Sequence, residues 1–256
     1  MKSGQRPWTR DELILAINLY CKLPFGKMHA RNEEIKSLAV LLGRSPGSVA
    51  RKLGNFASID PTLQARGIKG LSNTSKLDVE VWNEFYSNWD DRFVESEKSL
   101  ARIQGTTIEK KYELLIEPTI VGEDRLRSVK VRLNQSLFRT IVLTNFDNQC
   151  CITKIGNPEL LVAGHIKQWS EDEGNRLNPR NGLCLNALHD RAFEKGLITI
   201  TGDFRIRISS SLMKRSALKS IKDNFSVFDG KLISMPRKFT PDPEFLKFHN
   251  QERFQV

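Results

Sequence analysis

The chain has 256 residues and carries 40 Lys and Arg against 30 Asp and Glu, a formal net charge of +10, with 39% hydrophobic residues. This balance excludes a disordered chain, because aliphatic and aromatic residues are spread throughout, and it excludes a membrane-spanning helix, because no apolar run approaches ~18 residues. At roughly 100–200 residues per domain the length fits one large domain or two to three small ones.

From the N-terminus, Met1–Trp8 has no apolar run, so no secretory leader is expected. Thr9 and Glu12 have the spacing of a capping box, and Leu13, Leu15, Ala16, Leu19 and Tyr20 follow as the apolar face of a first helix, broken at Pro24-Phe25-Gly26. A second helix is predicted from Asn32 to Gly43, with Ile35, Leu38, Ala39, Leu41 and Leu42 facing inward. Ser45 caps a third, over 46–57, with Pro46 at its first position. That third helix is predicted to bury Val49, Leu53 and Phe56 and to expose Ser48, Arg51 and Lys52. Helix, short glycine turn, helix is the spacing of a helix-turn-helix, with a plain packing bundle as the alternative.

Residues 61–97 begin as a turn-rich stretch around Gly67, Gly70 and Ser72–Ser75, then become helical over 77–85. The charged stretch 94–128 is predicted as a helical linker. Val129–Leu133 alternates like a strand, and Gln135–Phe146 has a helical face of Leu137, Phe138, Ile141, Val142 and Phe146. The predicted division is therefore a helical DNA-binding-like domain at 1–93, a linker at 94–128, and a second domain at 129–256 of α+β class.

The chemistry is concentrated after residue 150. A short apolar strand at 160–163 leads to His165, a polar loop follows, and Asn181-Gly182 opens an apolar turn into a helix bearing His189-Asp190. An imidazole fixed at a strand end titrates near ~6.5 and suits a general base. A His and a carboxylate side by side suit a divalent cation, although adjacent helix positions diverge by about 100°. Further on, Leu197–Ile200 and Phe204–Ile208 alternate as a hairpin around Thr201-Gly202-Asp203 with Arg205 and Arg207 on one face. Pro241 starts a short terminal helix with Phe245, Leu246 and Phe248. The four cysteines, Cys21, Cys150, Cys151 and Cys184, form no disulfide framework and are expected as buried thiols in a reducing cytoplasm. Basic flanks, net +5 over 1–60 and +6 over 204–256, surround a centre of net −2 over 145–203, which suits a protein gripping a polyanion and holding a cation.

The ordered residues Cys150, Thr153, Ala163, His165-Ile166, Trp169-Ser170, Asn178, Asn181-Gly182-Leu183, Leu188-His189, Phe193 and Gly196-Leu197-Ile198 make residues 129–200 similar to the HNH endonucleases, particularly the branch found in bacterial restriction-type proteins. The resemblance extends more loosely to both ends of the chain. It implies a ββα-metal fold and an endodeoxyribonuclease of cytoplasmic restriction or anti-phage defence. By position, His165 is implied as the water-activating base and Asn181 as the residue orienting it. The third position falls on His189 or Asp190, so the implied catalytic set is His165, Asn181 and His189.

The implied metal set is His189, Asp190 and Glu194, the last because Gly164 stands where many relatives have a ligand. Mg²⁺ is the expected ion, with Mn²⁺ or Ni²⁺ able to substitute, acting on the scissile phosphate and the leaving 3′ oxygen. Structural zinc is not expected, because the two Cys-x-x-Cys pairs of the wider class are missing. Double-stranded DNA is the expected partner, through Arg51, Lys52, Lys167, Arg180, Arg205 and Arg207. Cutting both strands from one site per chain implies a homodimer, and no membrane partner is expected. The alternatives are a DNA-binding regulator on a non-cutting fold and an RNA-cleaving toxin.

Overall fold

The computed structural model describes residues 6–71, 73–114, 122–168, 170–215 and 217–255. Ser72 and Trp169 of the motifs above lie outside the described residues. The chain divides into two compact units, Met1–Leu137 and Phe138–Val256. It is rich in helix, with two small sheets, both in the second unit. Among the described residues no helix is long and apolar enough to cross a membrane.

In the first unit, α1 (Arg10–Lys22) starts at the predicted capping box, with Thr9 and Glu12 each bonded to the other's backbone. α2 (Glu33–Leu41) is capped by Asn32, and α3 (Pro46–Ile59) by Ser45. A one-turn α4 (Pro61–Gln64) and a second capping box, Ser75 with Asp78, lead into α5 (Lys76–Ser87). These helices close on an aromatic core in which Tyr20, Phe56, Trp82, Phe85 and Phe93 stack or meet edge to face.

The predicted linker, 94–128, begins inside α6 (Trp89–Ile103) and includes α7 (Ile108–Lys111). α6 lies in this packing, with Phe93, Ser96, Glu97 and Ala101 buried. The Glu97 carboxylate has no solvent contact and is met by Lys22, Lys111 and Asn18.

α8 (Gly122–Asn145) corrects the strand expected over Val129–Leu133: those residues are helical. The alternation there is incidental, because Arg and Lys fill the intervening positions of a charged helix face. The residues that continue inward, Leu133, Leu137 and Ile141, recur every four residues, the helical period.

In the second unit, β1 (Leu161–His165) pairs antiparallel with β2 (Gly182–Asn186), setting Val162 against Leu185 and His165 against Gly182. α9 (Ala187–Glu194), capped by Asn186, packs on both strands. β3 (Ile198–Ile200) and β4 (Ile206–Ile208) form the predicted second hairpin. Two short helices follow, α10 (Ser210–Met213) and α11 (Lys219–Asn224). The terminal helix α12 (Pro243–Glu252) begins two residues later than predicted, because Asp242 caps it, its Oδ1 accepting from the Glu244 N–H at 3.0 Å. It packs on β3 through His249 and Asn250.

Candidate active site

β1 delivers His165 at its end. The strand is pinned by Arg139 of α8, which donates to the carbonyls of Leu161 and Pro158 at 2.7 and 2.9 Å. The imidazole lies flat on Phe138, with centroids 3.7 Å apart and planes within 9°. Its Nε2 is 3.0 Å from the Arg176 carbonyl oxygen. A carbonyl only accepts, so Nε2 carries the proton and Nδ1 the lone pair. Burial holds the His165 pKa below the ordinary imidazole value, so the ring is neutral at pH 7.

Asn181 closes the loop that follows. Its Oδ1 accepts from the Lys167 N–H at 2.8 Å, and its Nδ2 donates to the carbonyls of Lys167 (3.0 Å) and Asn175 (3.3 Å). Its own carbonyl accepts from the Ile166 N–H. Both residues after His165 are thereby fixed.

Asp190 projects from α9 toward the same strand end. A Cβ on Gly164 would lie 2.5 Å from Asp190 Oδ1, so the carboxylate occupies the space that any side chain at 164 would need. Asp190 makes no hydrogen bond or ion pair among the described residues. Burial, with the Glu194 carboxylate one turn on, raises its pKa to about 6. A two-strand hairpin with a neutral imidazole at its end, a loop-closing Asn and a carboxylate on the following helix are thus together in one place.

Residues 150–201 match the family model of the HNH endonucleases. No curated protein matches the chain. The matched HNH segment covers β1, β2, α9 and β3, and an HNH domain points to nuclease activity.

The HNH cavity holds about 400 Å³ and is lined by Gly164, His165, Gln168, Asp190, Glu194 and Arg253, among others. It brings His165, Asp190 and Glu194 together. It does not bring His189. That ring is buried beneath the hairpin, with Nδ1 accepting from Asn186 Nδ2 at 2.8 Å and Nε2 donating to the Asn224 carbonyl at 2.7 Å. Phe225 and Phe228 meet it edge-on.

Both His189 nitrogens are spent on structure, so its assignments as catalytic residue and as metal ligand are corrected by this geometry. Successive residues of a helix point about 100° apart, and Asp190 takes the cavity side. Asn186 also lies 3.1 Å from Thr153 Oγ1 and 3.8 Å from Cys150 Sγ, so His189 belongs to a cluster tying the 150–153 turn to α9. The four cysteines are buried and form no disulfide.

Among the described residues no three His, Cys, Asp or Glu side chains converge as a ready-made metal cluster. The cavity nevertheless fits a hard divalent ion. Mg²⁺ is commonly held by one or two carboxylates, with water and substrate phosphate completing its shell. Asp190 is a partly buried carboxylate without a partner, and Glu194, held below its usual pKa by Arg191, is one turn away.

Of the six cations predicted to meet DNA, Arg51 and Arg207 are exposed and have no ion pair among the described residues. Lys52 is a correction. It is 7% exposed and donates to both Asp78 oxygens at 2.7 and 2.8 Å, because position 52 turns toward α5. Lys167 faces Asp172, Arg180 faces Asp242, and Arg205 faces Asp203. Arg253 was not anticipated. It enters the cavity from just past α12, bonded to Gln168 and Glu171. Its signal was the i,i+4 spacing from His249, which packs flat on Phe193 at 3.7 Å and so fixes that face of α12 against the HNH segment.

Proposed function

We propose that the second unit is the catalytic half of a divalent-metal-dependent endonuclease that hydrolyses DNA phosphodiester bonds, with restriction or defence against foreign DNA as its biological role. The observation that carries the reading is the convergence, inside a segment matching the HNH model, of a neutral, tautomerically fixed imidazole and a partly buried, unpartnered carboxylate in one cavity.

His165 Nδ1 takes a proton from water as the oxygen attacks phosphorus and the P–O3′ bond breaks. A base held neutral below the usual imidazole range stays competent on the acid side of neutrality. Asn181 is a positioning residue: it holds the loop that holds the base. Asp190, with Glu194 beside it, would hold the cation, and Gly164 leaves the room for that carboxylate. The bound ion supplies charge neutralisation at the phosphate and the departing oxygen. Arg253, at the cavity edge, orients the phosphate. The duplex is cut by two copies of the chain.

The test is plasmid nicking by the purified chain with Mg²⁺ or Mn²⁺ against EDTA, beside His165→Ala. Metal-dependent cutting that falls by about a hundredfold or more in the variant is expected. Cutting that persists in EDTA, or a variant as active as the parent, overturns the reading. Duplex RNA cut in preference to DNA turns it toward the toxin alternative. Mass measured on DNA by light scattering checks the dimer.

A further inference from the structure

The first unit contains a second cavity, of about 670 Å³, within the roughly 300–1,000 Å³ range of small-ligand sites. One wall is a single face of α3. Ser48, Arg51, Lys52 and Asn55 stand at i, i+3, i+4 and i+7 and all line it. The opposite wall is Leu71 and Asn73, both fastened to α3: the Leu71 N–H bonds to the Gly54 carbonyl, and Asn55 Nδ2 donates to the Asn73 carbonyl at 2.9 Å. A Cβ at Gly70 would collide with the backbone of Ser58, so this approach requires glycine. Trp8 and Arg44 close the third side, with the guanidinium 4.2 Å over the indole.

The lining groups fall into two sets. Arg44 is locked by both Glu12 oxygens, by the carbonyls of Arg6 and Pro7, and by the Trp8 face. Lys52 is locked by Asp78. These two are walls. The other set is unspent among the described residues: the Arg51 guanidinium, Ser48 Oγ, the indole N–H of Trp8 and Asn55 Oδ1. Arg6, Arg44, Arg51 and Lys52 line the cavity, and among the described residues Glu12 and Asp78 neutralise them, which leaves two positive charges in excess. Arg51, Ser48 and Trp8 offer donors to an anion. Asn55 is different: it is 7% exposed, its amide nitrogen is fixed on a carbonyl, and its oxygen is an acceptor needing an N–H.

We propose that this cavity binds a nucleotide, with the phosphate at Arg51 and Ser48 and an N–H of the base edge at Asn55 Oδ1. Phosphate alone offers the Asn55 acceptor no N–H, and an apolar ligand leaves the excess charge unanswered. A nucleotide answers both. The ligand comes either as a free mononucleotide or as one unit of a DNA strand. The inference stands apart from the catalytic reading, since the two cavities share no residue.

The test is calorimetric titration of the full chain in EDTA with the four deoxynucleoside 5′-monophosphates, inorganic phosphate, a short single strand and a short duplex. At least one nucleotide-bearing probe is expected to bind about tenfold or more tightly than phosphate. Arg51→Glu, at an exposed position, is expected to weaken every binding probe by about tenfold or more, and Asn55→Leu to abolish the preference for nucleotide over phosphate. Binding of monophosphates identifies a free nucleotide; binding of strands alone identifies a nucleotide unit of DNA. If no probe binds, or if Arg51→Glu leaves every affinity unchanged, the proposal is wrong. His165→Ala is expected to bind as the parent does, so failure of the nuclease reading leaves this result intact.

Discussion

Gly164 and Asp190 are one device seen from two elements. Gly164→Ala would place a Cβ 2.5 Å from Asp190 Oδ1 and push the carboxylate aside. The expected result is cleavage reduced by about tenfold or more with a raised Mg²⁺ requirement, for an overpacking cost of about 1–3 kcal/mol, read from metal titrations and a melting curve. A normal metal requirement in that variant would break the link between the two residues.

The raised pKa of Asp190 has its own consequence. Its folded value, about 6, lies above the roughly 3.9 of an unfolded Asp. Between about pH 6 and pH 4 the folded chain binds a proton that the unfolded chain does not, so this group adds stability on acidification and costs stability at pH 7. Asp190→Asn is therefore expected to melt a few degrees higher than the parent in EDTA at pH 7 and to gain nothing from Mn²⁺, whereas Mn²⁺ stabilises the parent. Equal stabilisation of both by Mn²⁺ would place the ion elsewhere. His189→Ala should behave oppositely to His165→Ala. It takes the donor from the Asn224 carbonyl and one acceptor from Asn186 and is expected to lose about 2–4 kcal/mol in a urea melt, while His165→Ala loses activity with a smaller change in midpoint. The choice between His189 and Asp190 was not legible from sequence, because spacing along a helix gives the 100° between neighbours but not which of them faces in.

The helices with caps were legible as elements. Thr9, Asn32 and Ser45 each satisfy N–H groups that the helix cannot, and such caps mark a boundary by local chemistry alone. The ββα hairpin was legible for a different reason, since its order of residue types is set by one site. α8 was half legible. Its inward face from Leu137 onward is dense, whereas over 122–132 it is mostly charged, and there a short alternation outweighed a sparse period. Lys52 was misplaced through tertiary context: α3 exposes its polar face, yet α5 brings Asp78 against it. Lys52→Ala leaves a fully buried carboxylate unpaired and is expected to cost about 3–5 kcal/mol by urea unfolding, whereas Arg51→Ala changes stability little. Similar midpoints for the two variants would remove the distinction between a structural and an available cation on that helix face.

At the scale of the whole molecule, the proposed binding of DNA would draw on the excess of +10 only through cations that are free to meet phosphate. Arg180 spends its charge on Asp242 at the cap of α12, with both side chains about one-fifth exposed, and Arg205 spends its charge on Asp203. Arg207 stands exposed on β4 between buried Ile206 and Ile208, with the Phe254 ring centroid 5.7 Å from its guanidinium. Each phosphate neutralised by a free cation releases counterions and adds about 0.9 to the slope of log affinity against log salt. Duplex binding in EDTA, followed by anisotropy over a series of salt concentrations, is expected to lose about one unit of slope in Arg207→Ala. Arg180→Ala is expected to keep the parent slope and to lower the melting temperature, because its guanidinium anchors the terminal helix that carries Arg253 to the HNH cavity. A slope lowered equally in both variants would mean that the Asp242 pair opens on DNA, and that the charge read from the folded chain undercounts what the duplex meets.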